Sequence, residues 1–257
     1  MISMKPPPGQ IYLSAIDEER FGIRVARAAE VTLRDLPSIM HFCWANGVVL
    51  LVARCLASEL PAAQAMEREG FVLMDTLVYY ERDLVKKAIP SDTGEILVRP
   101  IRLGEEHEVK AVAAESFRGY FGHYHADERL DRTKCDEAYT SWAFQSCVSR
   151  DVADEVLVAD LDGSIVGFAS LRLNSQEEGE GVLFGVAPSV QGQGIYRSLM
   201  IYGMEWCLSK GAIRMVYSTQ ITNIAVQKVM TRVGFEHSYA YYTFHKWFDR
   251  PSSSQKL

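Results

Sequence analysis

A short glycine-bearing run follows an apolar strand pattern and opens a helix pattern at residues 186–196. Glycine at Gly192 and Gly194 lets the backbone turn tightly, so that successive N–H groups can point into one concavity. The helix that begins near Gly194 adds the positive end of its dipole. The spacing therefore predicts a site for an anionic group such as a pyrophosphate.

Composition limits the partners of such a site. The chain has 257 residues, 48% of them apolar and 23% charged, which is ordinary for a soluble enzyme with a sizeable core. A net charge of −6 and the lack of long runs of like charge argue against nucleic acid. No segment approaches the roughly 20 apolar residues that cross a bilayer, and residues 1–8 have no signal-peptide core. We therefore expect a cytoplasmic protein that acts on a small molecule and does not bind a membrane.

The five cysteines are scattered and odd in number, so they predict neither a disulfide framework nor a zinc site. We expect reduced and mostly buried thiols. The pair His123-x-His125 is a weak metal motif, because no third ligand lies at a suitable spacing. We therefore expect no bound metal.

The elements that position the glycine loop follow from hydrophobic periodicity. Proline, glycine and small polar residues at 88–95 predict a boundary between one domain at 1–92 and another at 95–250. Beyond it strand and helix patterns alternate, and Asp162-Gly163 indicates a hairpin, which together favour mixed α/β architecture around one sheet. The predicted elements are strands at 96–101, 156–159, 165–171, 181–187, 213–219 and 235–247, and helices at 105–117, 131–148, 195–210 and 223–232.

An internal repeat is the second organising feature. The motif Met-x-Arg-x-Gly-Phe occurs at residues 66–71 and again at 230–235, an offset of 164 residues (234 − 70). A helix that ends at glycine before a strand is a common unit, so two copies can arise by chance. The other interpretation is a worn duplication. The first copy has no glycine loop, and we expect it to lack anion binding.

The order of these motifs resembles the GNAT superfamily of N-acetyltransferases. In that superfamily a Gln/Arg-x-x-Gly-x-Gly/Ala loop follows a strand, and an asparagine-led helix then ends at Gly-Phe. Here Gln191-x-x-Gly194 and the stretch from Asn223 to Gly234-Phe235 match. The resemblance implies an α/β (α+β) fold with a central mixed, mostly antiparallel sheet flanked by helices, preceded by a smaller, degenerate GNAT-like half.

The resemblance also implies acetyl-CoA as acetyl donor. Backbone N–H groups of the loop would bind its pyrophosphate, and the preceding strand, splayed from its neighbour, would hold the pantetheine arm. The last loop position is usually small in the superfamily, whereas here it is a tyrosine. The implied cofactor-binding residues are Leu183, Phe184, Gly185, Val186, Gln191, Gly192, Gln193, Gly194, Ile195, Tyr196, Arg197 and Asn223.

The proton donor and acceptor are less clearly marked. Superfamily members often use a tyrosine as acid for the departing thiolate, but Met230 occupies that position and a thioether has no proton to donate. Either the thiolate leaves unassisted, or Tyr196, Tyr217 or water protonates it. The acceptor amine must lose a proton as well, and His123 and His125 titrate in a suitable range.

These histidines lie in a glycine-interrupted connection at residues 117–127 that is rich in aromatic residues. Aromatic faces suit a sugar or a nucleobase, and the superfamily usually builds its acceptor pocket in this connection. The alternative is a surface loop whose histidines are satisfied by a carboxylate. Glu180 is a second base candidate, since relatives often use a carboxylate on that strand. The candidate acceptor-binding residues are Phe121, Tyr124, Asp127 and Trp142.

A finer resemblance, to the dTDP-fucosamine N-acetyltransferase group, rests on the degenerate first half, the complete second half and the aromatic connection that leads into Tyr139-x-x-Trp142. It implies direct transfer of acetyl to the amino group of a nucleotide-linked amino-deoxysugar in a ternary complex, and a homodimer. Two alternatives stay open. One is acetylation of another small amine, such as an amino acid, a polyamine or an aminoglycoside. The other is a catalytically silent acyl-CoA-binding regulatory protein.

Overall fold

The computed structural model describes residues 10–248. Its tertiary contacts divide the chain into two compact units, each assembled from separate stretches of sequence. Within the described residues, the first unit consists of residues 10–77, 121–134 and 240–248, and the second unit of residues 78–120 and 135–239.

The two units differ from the sequence-continuous domains expected at 1–92 and 95–250. Residues 121–134 and 240–248 fold with the N-terminal residues, because their side chains and strand pairing join that unit. Residues 1–8, on which the expectation of no signal peptide rests, and residues 249–250 of the expected second domain lie outside the described residues.

The first unit contains helices and a four-strand stretch of sheet. Its elements are β1 (Ile11–Leu13), α1 (Ala15–Phe21), β2 (Val25–Ala28), α2 (Leu36–Ala45), β3 (Leu50–Leu56) and α3 (Leu60–Arg68), with parts of β4 (Val72–Asp83) and β10 (Glu236–Trp247). The strands run in the order β1, β2, β3, β10, and only β2 and β3 are parallel. Ile39 and Met66, on α2 and α3, are buried in one core with Leu51 and Phe244.

The second unit is a mixed sheet flanked by helices. Its elements are β5 (Leu97–Pro100), α4 (Glu106–Ser116), α5 (Arg132–Val148), β6 (Glu155–Leu161), β7 (Ser164–Leu173), β8 (Glu178–Val186), α6 (Ile195–Ser209), β9 (Arg214–Gln220) and α7 (Ile224–Arg232), with the remainder of β4 and β10. The strands β5 to β8 are antiparallel neighbours, and β8 is parallel to β9. Val109 and Ala113 of α4 pack in one core with Val158 and Phe168.

The predicted mixed, mostly antiparallel sheet flanked by helices is therefore confirmed. Each predicted element is present, with its ends within three residues of the prediction. The hairpin is also confirmed, because Asp162 and Gly163 connect β6 to β7 with φ of 52° and 86°, the conformation that a tight hairpin turn requires.

The internal repeat extends well beyond its sequence motif. β3 and β9 each have seven residues, α3 and α7 nine, and β4 and β10 twelve, and each pair begins at the same offset of 164 residues. Both helices end alike. Phe71 N donates to Met66 O and Phe235 N donates to Met230 O, each at 2.9 Å, beside a glycine with positive φ. The succession β2–α2–β3–α3–β4 thus recurs as β8–α6–β9–α7–β10.

The expectations on thiols and spans concern the same described residues. Within residues 10–248, no helix is both long and apolar enough to cross a membrane, and no three potential metal ligands cluster together. All five cysteines are free thiols, and four are buried. Burial raises the pKa of Cys43, Cys147 and Cys207 to about 12, so these thiols stay protonated at neutral pH.

Candidate functional site

The glycine loop joins β8 to α6, as the sequence predicts. After a single 3-10 turn at Pro188–Val190, Gly192 and Gly194 adopt φ of 81° and 85°, where glycine alone is unstrained. A Cβ at either position would meet no atom within 4 Å. Glycine is therefore needed here for backbone conformation and not for space. The Gln191 amide donates to Val186 O at 3.2 Å and closes the base of the loop.

The N-terminus of α6 lies at the end of this loop without a side-chain cap. Gly194 is the N-cap residue, and it has no side chain that could accept from the first-turn N–H groups. These N–H groups and the helix dipole favour an anion at this position. Arg197, in the first turn, is held by the segment before β5, donating to Ser91 O at 3.1 Å and to Asp92 Oδ1 at 3.4 Å.

The strand β8 leaves β9 halfway along its length. The pairs between them run from Glu178↔Arg214 to Gly181↔Tyr217, whereas β8 continues to Val186. At this point the pairing of β8 with β7 shifts in register, which leaves Val182 as the extra residue of a bulge. Because a bulge bends its strand and increases its twist, the backbone after Gly181 diverges from β9. This is the splayed strand that the resemblance implied.

Two tyrosine hydroxyls lie where β8 and β9 part. Tyr217 pairs with Gly181 at the last rung of the ladder, and its hydroxyl lies 2.5 Å from that of Tyr196. Phe184 packs against both rings, with centroids 5.7 Å and 5.0 Å away. Burial raises the pKa of both hydroxyls above the usual tyrosine value. Both therefore keep their protons at neutral pH and remain donors.

Three further residues from the sequence analysis have defined contacts in the second unit. Met230 is fully buried, so its side chain belongs to the core. Asn223 caps α7, its Oδ1 accepting from Val226 N at 3.3 Å. The Glu180 carboxylate accepts from the Arg172 guanidinium at 2.6 Å, and both side chains are largely buried. An arginine-paired carboxylate is a poorer base than a free one, because the pairing favours the ionised form.

In the first unit, His123 and Asp127 are brought together by a residue that sequence reasoning missed. His245 of β10 is fully buried, with Nδ1 2.7 Å from Asp127 Oδ2 and Nε2 3.0 Å from His123 Nδ1. Trp247 Nε1 donates to the same Asp127 oxygen at 2.9 Å. Polar residues at alternate positions of an otherwise apolar strand were the only available signal.

Tyr124 belongs to a separate buried network of the first unit. Its hydroxyl donates to Asp17 Oδ1 at 2.7 Å and accepts from Arg27, whose Nε donates to Asp17 Oδ2 at 2.5 Å. Burial alone would raise the pKa of the fully buried Asp17, but Arg27, Ser14 and Tyr124 lower it to about 2. This network anchors the connection at residues 121–134 to the N-terminal elements.

The remaining predicted acceptor-site residues differ in exposure. His125 is buried, and its Nδ1 accepts from Gly122 N at 3.2 Å. Phe121 is 59% exposed and Trp142 is 38% exposed, so each presents aromatic surface to solvent. Their role in acceptor binding remains a prediction.

The first copy of the repeat differs from the second where the glycine loop would be. Glu30 stands at the position that matches Gly194 and has the same left-handed sense, with φ of 52°. Its carboxylate accepts from the Tyr241 hydroxyl at 2.7 Å. At the start of α2, the Asp35 carboxylate accepts from Thr32 N at 3.0 Å. The first copy thus has carboxylates where the second copy offers N–H groups.

The fold and the loop define a class, which comparison with known proteins supports. A GCN5-related N-acetyltransferase from Sphaerobacter thermophilus matches with a TM-score of 0.62 at 16% identity, over 92% of this chain and 76% of that chain; this likeness concerns the fold. Residues 114–235 match the model of the acetyltransferase (GNAT) family, and they include β8, the glycine loop, α6 and α7. Together these findings support a GNAT-superfamily acetyltransferase.

Two curated relatives are more distant in length. A mycothiol acetyltransferase of Acidothermus cellulolyticus is 26% identical over 196 residues, which are 70% of this chain and 57% of that protein. The spore coat polysaccharide biosynthesis protein SpsD of Bacillus subtilis is 23% identical over 202 residues, which are 77% of this chain and 66% of that protein. The chain therefore spans just under two thirds or less of the length of these relatives.

Proposed function

We propose that this chain is an acetyl-CoA-dependent N-acetyltransferase that moves acetyl to a primary amine by direct attack in a ternary complex. The observation that carries the proposal is the junction of β8 and α6. Two left-handed glycines and an uncapped helix N-terminus adjoin a strand that has left its neighbour. Acetyl-CoA requires these two features, a cradle of N–H groups for its pyrophosphate and a strand edge for its pantetheine arm.

The residues at this junction fit acetyl-CoA chemically. N–H groups of residues 192–197 bind the pyrophosphate, with Gln191, Gln193 and Arg197 beside them, and the backbone of residues 183–186 binds the pantetheine arm. Asn223 contributes from the start of α7. When bound, acetyl-CoA supplies an activated acetyl thioester. Backbone N–H groups along β8 polarise its carbonyl and so stabilise the developing oxyanion.

The proton steps need one donor and one acceptor. Tyr196, hydrogen-bonded to Tyr217, is the proposed donor to the departing thiolate, because its buried hydroxyl stays protonated. His123 is the proposed acceptor of the amine proton. His125 and Glu180 are the second candidates. The protonated cysteines support transfer without an acyl-enzyme.

The acceptor that we propose is the amino group of a nucleotide-linked amino-deoxysugar, as in the dTDP-fucosamine group. The relationship to a polysaccharide biosynthesis protein supports a sugar, and the exposed ring of Phe121 suits its apolar face. The relationship to a mycothiol acetyltransferase favours a second candidate, an amine of the kind that this relative acetylates. Amino acids, polyamines and aminoglycosides are further alternatives, as is a silent acyl-CoA-binding regulator.

A thiol-release assay tests this proposal. Free CoA is measured after incubation of the chain with acetyl-CoA and each of a panel of amines, comprising nucleotide-linked amino sugars, simple amino sugars, amino acids, polyamines and aminoglycosides. We expect turnover to be fastest with a nucleotide-linked amino sugar. Preference for another amine would overturn the sugar assignment. Calorimetric binding of acetyl-CoA without turnover on any amine would overturn the enzyme assignment and favour the regulator.

We also propose that the first half, within residues 1–92, is a degenerate GNAT-like copy, and that residues 95–250 carry the catalytic part. The recurrence of five elements at one offset supports this proposal. A cytoplasmic location and a homodimer remain expectations. For the dimer, the aromatic end of β10 is less of an argument than the sequence suggested, since Tyr241 to Trp247 already pair with β3 of the same chain. Light scattering of the purified protein measures the oligomeric state.

A further inference from the structure

We propose that Asp127, His245 and His123 form a relay that fixes the tautomer of His123 and makes its Nε2 the atom that takes the proton of the acceptor amine. The inference rests on the proposed function and adds two positioning residues to it. All three side chains are buried in the first unit, with exposures of 3%, 0% and 7%. They come from two segments that the sequence separates by more than a hundred residues.

The direction of the relay follows from counting protons along its two hydrogen bonds. The Asp127 carboxylate only accepts, so His245 must carry its proton on Nδ1, 2.7 Å away. A neutral His245 then has a bare Nε2, which can only accept. His123 Nδ1, 3.0 Å from that atom, must be the donor. The remaining nitrogen of His123, Nε2, is therefore the one with a free lone pair.

Asp127 is held as a carboxylate by several donors. Burial alone would raise its pKa, but hydrogen bonds from His245 and Trp247 and from Arg129 N keep the pKa below the usual value. Trp247 Nε1 lies 2.9 Å from Oδ2 and Arg129 N lies 3.1 Å from Oδ1. The carboxylate thus cannot rotate away from His245 without losing these bonds.

The surroundings of His123 keep it neutral before reaction. Burial lowers the pKa of His123 well below 6.5, and His245, Arg54, Arg27 and His125 lower it further. Among the described residues, no hydrogen bond engages His123 Nε2, while the side chain keeps a small exposed surface. A purely structural histidine pair needs no such atom. A neutral imidazole with one fixed, unengaged lone pair is what a general base requires.

The reaction balances with His123 as proton acceptor. The neutral amine forms a C–N bond to the acetyl carbonyl carbon, and His123 Nε2 takes the proton that this nitrogen must lose. The imidazolium is stabilised through His245 by the Asp127 carboxylate. The C–S bond breaks, and the thiolate receives its proton from the tyrosine pair. His123 then returns its proton to solvent, so that amide and free thiol are the net products.

The tautomers can be measured without any substrate. Nitrogen-15 NMR of histidine-labelled protein at pH 7.5 distinguishes protonated from bare ring nitrogens. We expect His123 and His245 each to carry a proton on Nδ1 and a bare Nε2, with assignments made from His123→Asn and His245→Gln. Protonated Nε2 on His123, as a buried His245 imidazolium would require, would overturn the relay. His41, which is exposed, serves as the reference for an unconstrained ring.

Kinetics with the best amine then test the catalytic assignment. His123→Asn keeps a side-chain N–H near the position of Nδ1 but removes the base, and we expect kcat to fall by about 100-fold with KM for acetyl-CoA unchanged. Asp127→Asn keeps the shape but removes the charge, and we expect a fall of about 10-fold. His41→Ala should match the wild type.

The outcomes separate this inference from the proposed function. If the wild type turns over and His123→Asn matches it while remaining folded, the base assignment is wrong although the acetyltransferase stands. If both variants lose kcat and KM alike in proportion to a loss of folded protein, a structural role replaces the relay. Absence of turnover by the wild type on every amine would overturn the catalytic role together with the proposed function.

Discussion

Replacement of Gly194 by valine tests the anion cradle most directly. Gly194 has φ of 85°, and the left-handed conformation costs a residue with a Cβ about 1–2 kcal/mol. A Cβ there would meet no atom within 4 Å, so the cost is one of conformation and not of collision. The free loop of the variant relaxes to another conformation, and acetyl-CoA must restore the original one. A cost of about 2 kcal/mol corresponds to about 30-fold weaker binding.

The matched control is Gly163→Val in the hairpin between β6 and β7. Gly163 has φ of 86° and equally open surroundings, but it lies outside the cofactor loop. Calorimetry with acetyl-CoA and thermal unfolding are measured on both variants. We expect both to lower Tm and only Gly194→Val to weaken binding, with Gly194→Asn intermediate because asparagine tolerates this conformation. Wild-type affinity in Gly194→Val, or equal weakening in Gly163→Val, would refute the cradle.

Three further predictions concern stability and stoichiometry. Gly234→Ala should lower Tm more than Gly70→Ala, because a Cβ on Gly234 collides with the Arg82 guanidinium whereas one on Gly70 stays 3.7 Å from Lys246 Nζ; equal shifts would contradict the collision. With a folded-state pKa of about 2 against 3.8 unfolded, Asp17 contributes about 2 kcal/mol above pH 4 that is lost as pH falls towards 2; Asp17→Asn should remove this dependence from circular-dichroism unfolding curves, and an unchanged slope would show that other groups carry it. Titration calorimetry should give one acetyl-CoA per chain, and two would mean that the first copy also binds.

The elements and the glycine loop could be predicted because their signals are local. Helix and strand periods, the Asp162-Gly163 turn and the glycines at 192 and 194 act within a few residues of where they stand. The end of the β8–β9 ladder was reached only through the family resemblance, since the bulge at Val182 leaves no distinctive residue type in the sequence.

The relay could not be predicted because it depends on pairing between distant segments. His245 and Asp127 are 118 positions apart, and they meet only after β10 pairs with β3 and the 121–134 connection joins the same unit. Nothing in the local sequence of either segment indicates this partner. The interleaving of the two units has the same cause, because it is set by tertiary contacts and not by linker composition.

Glu30 bears on the origin of the repeat. A chance likeness between two helix–strand units would account for their equal lengths, but it gives no reason for a strained backbone at one particular position. Glu30 keeps a left-handed φ of 52°, which disfavours a residue with a Cβ, at the place where Gly194 has 85°. Such a conformation persists when the surrounding structure imposes it, as it would after a duplication in which a glycine was later replaced. The carboxylate that replaced it now bonds the Tyr241 hydroxyl and gives that position a negative charge, so the same substitution that marks the shared origin also explains why only the second copy should bind a pyrophosphate.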